Sequence, residues 1–323
     1  MTKFYWFLGD EQFQPEDLVK QAKLAELEGF DGVMVSEHLQ PWVFDAGASG
    51  FALSTLGAIA ASTSSIRLMT GVITPLFRYH PAIVAQAAAT LDRLSAGRFE
   101  LGIGSGENIN EAPLGFKLPN YNERSERIKE AIGIMQGLLA GESVNHSGAY
   151  YQVNNLKLHS PPINKVPILL AADGPKSASI AATMCDGIIT SVKQIDETKA
   201  NILDSIKNSN KPDFRLVASH WSVFASNDDE AWQALLPWRG LRAPSRAVLS
   251  DPAELQKEAD SLPKAAILER YKRISQVSDF IDIYSPLVND LHAETVCFQV
   301  TSINQLETIK LVGREVLPKL RKL

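Results

Sequence analysis

The chain has 323 residues, 45% hydrophobic and 21% charged, an ordinary globular composition with room for one large α/β domain or two smaller ones. Its net charge is −5 and no basic run stands out, so a nucleic-acid partner is not expected. No apolar run reaches the roughly 18 residues of a membrane span, and "MTKFYWFLGDEQF" at the start contains no cleavage-type segment. The expectation is a cytoplasmic protein.

Strand-like apolar runs alternate with helical patterns along the whole chain. The strands are expected at 3–8, 31–36, 66–73, 98–104, 166–172, 187–190, 214–225 and 294–300. Between the first two, "PEDLVKQAKLAELEGF" opens with Pro15, places Leu18, Ala22, Leu24 and Leu27 near one face, and stops at Gly29. "PAIVAQAAATLDRLSAG" follows the same grammar from Pro81 to Gly97, and "ERSERIKEAIGIMQGLLAG" ends at Gly141. Residues 144–165 do not read as helix and are expected to be an insertion. Residues 228–290 are long and mostly helical, between the seventh and eighth strands. Cys185 and Cys297 each sit in an apolar segment and read as two buried free thiols.

Eight continuous apolar strands, each followed by a helix, point to a (β/α)8 barrel in a single domain spanning 1–323, with an open doubly wound sheet as the alternative. In such a barrel the active site forms at the carboxyl ends of the strands. Polar and glycine-rich residues recur there: "GDEQF" with Glu11, "SEHLQPW" (36–42), "GVITPLFRYHP", "GIGSGENINE" with Glu107, Asn110 and Glu111, "AADGP" (171–175) and "TSVK" ending in Lys193.

Each piece also has a bland reading. "GIGSGE" lacks the G-x-G-x-x-G spacing of a dinucleotide fingerprint, so its glycines make a turn or let backbone approach a flat ligand. "AADGP" before a helix start is either an ordinary strand-to-helix turn or an anion site. A lone His38 is usually a satisfied core histidine, Glu107 a solvated loop carboxylate and Trp42 a packing residue. Placed together on one rim they suit acid/base work. Arg246 and Arg270 read by themselves as solvated helix-face residues. The six histidines are scattered with no metal spacing, and neither cysteine nor a G-x-S-x-G motif offers a nucleophile.

These motifs, in this order over nearly the whole chain, resemble the coenzyme F420-dependent branch of the luciferase-like oxidoreductases. Within it, the match is to the F420-dependent glucose-6-phosphate dehydrogenase family. "SEHLQPW", "ITPLFRYHPAIVAQAAATL", "LGIGSGENINE", "SGAYYQV", "AADGP", "DGIITSVK" and "SDPAELQKEADSLP" carry the resemblance. It implies a (β/α)8 barrel, a homodimer, a small-molecule substrate and a non-prolyl cis peptide at Gly71–Val72. It implies that the deazaflavin is held by Glu37, Gly71, Val72, Thr74, Ser105, Gly106, Glu107, Asn110 and the turn Ala171, Ala172, Asp173, Gly174 and Pro175. His38, Trp42, Glu107 and Glu11 would surround the reacting carbon of a sugar C1–OH, with His38 or Glu107 taking the proton. Thr190, Lys193, Arg246 and Arg270 would bind the substrate, the last three its phosphate.

Two positions depart from the family pattern. Ala247 stands where the family has a histidine, and Glu37 replaces the commoner aspartate. The alternatives are therefore an F420-dependent dehydrogenase of another alcohol, an FMN-dependent monooxygenase, or a catalytically silent flavin-binding barrel.

Overall fold

The computed structural model describes residues 1–209 and 211–323. Eight parallel strands form a ring: β1 (Lys3–Leu8), β2 (Gly32–Val35), β3 (Arg67–Thr70), β4 (Phe99–Ile103), β7 (Ile168–Ala171), β8 (Gly187–Ser191), β9 (Arg215–Phe224) and β11 (Thr295–Thr301). Pairing of β8 with β9, and of β11 with β9 and β1, closes it. An antiparallel hairpin, β5 (Val144–Ser147) and β6 (Gln152–Leu156), fills the expected insertion. A short β10 (Lys272–Ile274) extends the sheet along β9.

The period-2 alternation of each strand builds two cores. Phe4, Trp6, Leu8, Val33, Val35, Leu68, Phe298 and Val300 face outward. They pack beneath helices that include α1 (Pro15–Leu27), α2 (Ala52–Ser62), α3 (Pro81–Leu94), the 19-residue α5 (Tyr121–Leu139) and α6 (Pro175–Met184). Tyr5, Phe7, Met34, Met69, Leu169, Ile189, Val217 and Cys297 fill the barrel. The amino end of the barrel is plugged by charge: Glu100, fully buried, meets Arg67, Arg215 at 2.9 Å and the Tyr5 hydroxyl at 3.1 Å.

The eight expected strands are the eight of the ring, with small shifts at their ends. The third was expected to run through residue 73; its ladder stops at Thr70 and Ile73 rejoins in a single bridge with Ile103. Between them the Gly71–Val72 peptide is cis. In α1 the buried stripe is Leu18, Ala22 and Ala25, and Leu27 is 82% exposed. An 18–22–25 stripe follows the 3.6-residue period and carries Leu27 off it. The stop at Gly29 is a left-handed residue, φ +84°, as a helix C-terminus favours. Cys185 and Cys297 are both buried and free. Among the described residues no helix is long and apolar enough to cross a membrane.

Candidate active site

The site lies beyond the carboxyl ends of the strands. The chain leaves β1 through Asp10 and Glu11, and leaves β2 through Ser36, Glu37 and His38. Ser36 joins the two loops. Its hydroxyl accepts the Asp10 N–H at 2.9 Å and donates to Glu11 Oε2 at 2.5 Å. Glu11 Oε1 then faces His38 Nε2 at 3.3 Å.

The third side of His38 comes from the segment after β4. Glu107 precedes a short helix, α4 (Asn108–Glu111), and its Oε2 lies 3.7 Å from His38 Nε2. Asn110, on α4, accepts the Leu39 N–H through Oδ1 at 2.8 Å. That bond fixes which end of the amide is the donor, so Asn110 Nδ2 donates to His38 Nδ1 at 3.3 Å. The network assigns the ring proton to Nε2, directed at the two carboxylates. Trp42 closes the remaining side, with its ring 4.9 Å from the imidazole. Gly240 packs against the Trp42 backbone, where a Cβ would fall 1.9 Å from its carbonyl oxygen.

Burial separates the titrating groups. It lowers His38 to about 3, with Arg78 and Arg246 adding to the effect and Asn110 opposing it. The imidazole is neutral near pH 7. Burial raises Glu11 to about 8 against its Ser36 bond. Burial also raises Glu107, which Arg246 pulls back down. The two carboxylates differ in access: the Glu11 side chain is 3% exposed, whereas Glu107 is 43% exposed to the cleft.

A buried ion-pair knot fixes the site from below. Arg78, 4% exposed, pairs with both Glu37 and Glu111, and the Tyr79 hydroxyl donates to Glu37 at 3.2 Å. Both Glu37 oxygens are thus engaged within the protein. Glu107 is partnered on its far side by Arg246 Nη1 at 3.1 Å, and the Arg246 guanidinium lies 6.0 Å from the Trp42 ring.

The structure brings His38, Trp42, Glu11, Glu107, Asn110 and Arg246 into one cluster. Gly71, Val72 and Thr74 lie beside Gly104 to Gly106. A Cβ on Gly104 would lie 2.7 Å from Val72, and one on Gly106 (φ +86°) would lie 3.1 Å from Thr74. Ala171 to Pro175 run from the end of β7 into α6. Asp173 Oδ1 accepts from Thr190 Oγ1 at 2.9 Å, so both residues tie β7 to β8. No side chain caps the start of α6 at Gly174. Beside it runs a groove of about 520 Å³ lined by Tyr121, Ser125, Lys129 and Lys176. Lys193 and Arg270 are exposed and make no side-chain hydrogen bond or ion pair among the described residues.

The chain matches the model of the luciferase-like monooxygenase family over residues 2–282. It is a member of that family. This family member is 34% identical to the F420-dependent glucose-6-phosphate dehydrogenase of Microbacterium testaceum, over 99% of this chain and 98% of the relative. It is 36% identical to the enzyme of the same name from Beutenbergia cavernae, over 96% and 95% of the two chains. Its fold superposes on an F420-dependent secondary alcohol dehydrogenase in complex with an F420–acetone adduct, with a TM-score of 0.91 and 28% identity over 99% of both chains. The coenzyme F420-dependent tetrahydromethanopterin reductase of Methanopyrus kandleri shares the fold at a TM-score of 0.78 and 18% identity, over 99% of each chain.

Several residues of the luciferase-like site were not legible beforehand. Sequence pattern gives no role to Asp10, Ser36 and Tyr79, although each lies within the motifs at the strand ends. Glu111 and Arg78 stood in quoted motifs without a role.

Proposed function

We propose that the protein is a coenzyme F420-dependent dehydrogenase that oxidises the C1–OH of a sugar phosphate. The observation that carries the chemistry is the neutral His38, proton on Nε2, set between a closed carboxylate (Glu11) and an open one (Glu107). The relatives named above support the cofactor and the substrate class.

The residues present suit a flat ligand with an anionic tail. Gly71, Val72, Thr74, Ser105 and Gly106 would meet its ring, and Ala171 to Pro175 with the uncapped start of α6 would meet its phosphate. When bound, the deazaflavin accepts a hydride and so supplies the redox chemistry. The protein supplies the proton handling. Glu107 is the carboxylate that substrate can reach, so it takes the hydroxyl proton. His38 cannot take that proton on Nε2, which already bears one, and its Nδ1 is held by Asn110. Its Nε2–H instead steadies the oxygen as charge develops. Glu11 sits behind the imidazole and keeps it oriented. Trp42 walls the substrate side. Arg246 holds the substrate's anionic group, with Lys193 and Arg270 as the resemblance implies.

This reading includes a single domain, drawn from the strand–helix pattern, a homodimer, drawn from the resemblance, and a cytoplasmic setting, drawn from the absence of a membrane-span or cleavage-type pattern in the sequence.

The test is a titration of the purified protein with oxidised F420 and, separately, FMN, followed by a panel of sugar phosphates and neutral alcohols. Micromolar F420 binding, with bleaching of its visible absorbance on adding a sugar phosphate, is the expected result. Bleaching by secondary alcohols alone moves the substrate class. Tight FMN binding without an F420 response overturns the reading. Glu107→Gln should lower kcat by roughly 10²–10⁴-fold, the worth of a general base.

A further inference from the structure

We propose that Arg242 determines substrate specificity, binding the substrate's anionic group over an aromatic floor made by Trp221 and Tyr271, together with Arg246. This rests on the anionic-substrate reading above and adds a residue that lies outside the ligand set implied by the resemblance.

Arg242 ends a turn of 3-10 helix, Leu236–Arg242, whose position is fixed from beneath. Trp238, buried in that turn, donates its indole N–H to Gln12 at 2.8 Å, next to the Asp10–Glu11 loop. Arg239 spends its charge on Asp45 and Asp260, both at 2.7 Å. Arg242, three residues on, has no such partner. Among the described residues it makes no ion pair, and its Nε is buried without an acceptor. A buried N–H without an acceptor is costly.

Its surroundings are aromatic. The guanidinium carbon lies 4.4 Å from the Tyr271 ring centre and 5.9 Å from that of Trp221. Tyr271 and Trp221 meet edge to face at 6.1 Å, and Trp221 also packs on Phe7 and Trp238. Phe7 and Trp221 stand on β1 and β9, so the floor sits in the barrel mouth. Ring faces hold a cation in place but leave its N–H groups unfilled.

The second arginine faces the same basin. Burial pushes the Tyr271 hydroxyl up, and first Arg242 and then Arg246 pull it back, so both charges act on one ring. Arg246 continues to Trp42 and Glu107. Two guanidinium groups thus act on one ring beside the His38 cluster, and among the described residues the one carboxylate that meets either of them is Glu107, on Arg246. A dianionic phosphate monoester supplies the missing charge and enough oxygens for two forked donors.

The experiment compares wild type with Arg242→Gln and Arg242→Lys, each purified whole. Tryptophan fluorescence, with Trp221 in the floor, follows binding of inorganic phosphate without any turnover. Steady-state kinetics with F420 then give kcat and KM for a sugar phosphate and for its unphosphorylated sugar. The expected result is at least a tenfold weaker phosphate Kd in Arg242→Gln, with partial recovery in Arg242→Lys. KM for the sugar phosphate should rise about tenfold while kcat changes little, so that preference for the phosphorylated over the neutral sugar falls about tenfold. Unchanged phosphate Kd and unchanged preference would overturn the proposal. So would equal losses on both sugars with a lowered Tm, which is the mark of a packing residue. Failure of F420 turnover with every alcohol would sink the dehydrogenase reading instead, and the phosphate titration would still decide the role of Arg242.

Discussion

Asn110 Nδ2 donates to His38 Nδ1 at 3.3 Å, and this one contact determines which ring nitrogen carries the proton. Asn110 is held in that orientation by the Leu39 N–H, so the donor cannot become an acceptor without losing a backbone bond. An aspartate at 110 would keep the bond to Leu39 but could only accept from His38. The proton would move to Nδ1, and the imidazole would leave its depressed range. Asn110→Asp is expected to lower kcat by about 10²-fold, within the range of a misplaced acid/base group, with F420 affinity changed far less. Nitrogen-15 NMR of the imidazole reads the tautomer directly. A lowered kcat with the proton still on Nε2 would refute the mechanism.

The barrel was legible because each strand is buried on both faces and therefore written as an unbroken apolar run. Phe4 to Leu8 and Val296 to Val300 need no distant information to be recognised. The cluster of His38, Trp42, Glu11 and Glu107 was legible for a related reason: a parallel barrel sends every strand end to the same rim. What periodicity cannot encode is the choice of distant polar partners. Arg78 could have been a solvated loop residue; it is instead the counter-charge for Glu37, 41 positions earlier, and Glu111, 33 positions later. Leu27 failed in the opposite way, because an apolar residue at a helix end can sit off the buried stripe at little cost.

Arg78 makes the next prediction. With one guanidinium serving two buried carboxylates, its loss strands both. Arg78→Met keeps the volume of the stem and removes the charge. The variant should be destabilised by about 3–5 kcal/mol, the cost of breaking a buried pair, measured as a lower urea midpoint at constant slope. Because burial raises Glu111 and the variant lacks the Arg78 charge that opposes it, the loss should be smaller at pH 5 than at pH 8. A loss below about 1 kcal/mol at both pH values would mean that the knot does not hold the site together.

Asp10 gives the stability a pH signature of its own. It is fully buried; Oδ1 accepts the Gly50 N–H at 3.1 Å and Oδ2 has no partner. Burial raises its carboxyl from 3.8 to about 7, with Gly50 opposing and Glu37 adding. Between those values the folded chain holds a proton that the unfolded chain has released. The contribution is therefore complete below about pH 4 and is lost as pH rises through 7. Asp10→Asn keeps an acceptor for Gly50 and cannot titrate. The stability gap between variant and wild type should move in the variant's favour by about 2–3 kcal/mol from pH 5 to pH 8, at roughly 1.4 kcal/mol per unit. Glu11 titrates in both proteins, and loss of the Asp10 charge that helps to raise it moves the gap in the same direction. Urea unfolding at the two pH values checks it, and parallel shifts in variant and wild type would show that Asp10 is already ionised in the folded protein.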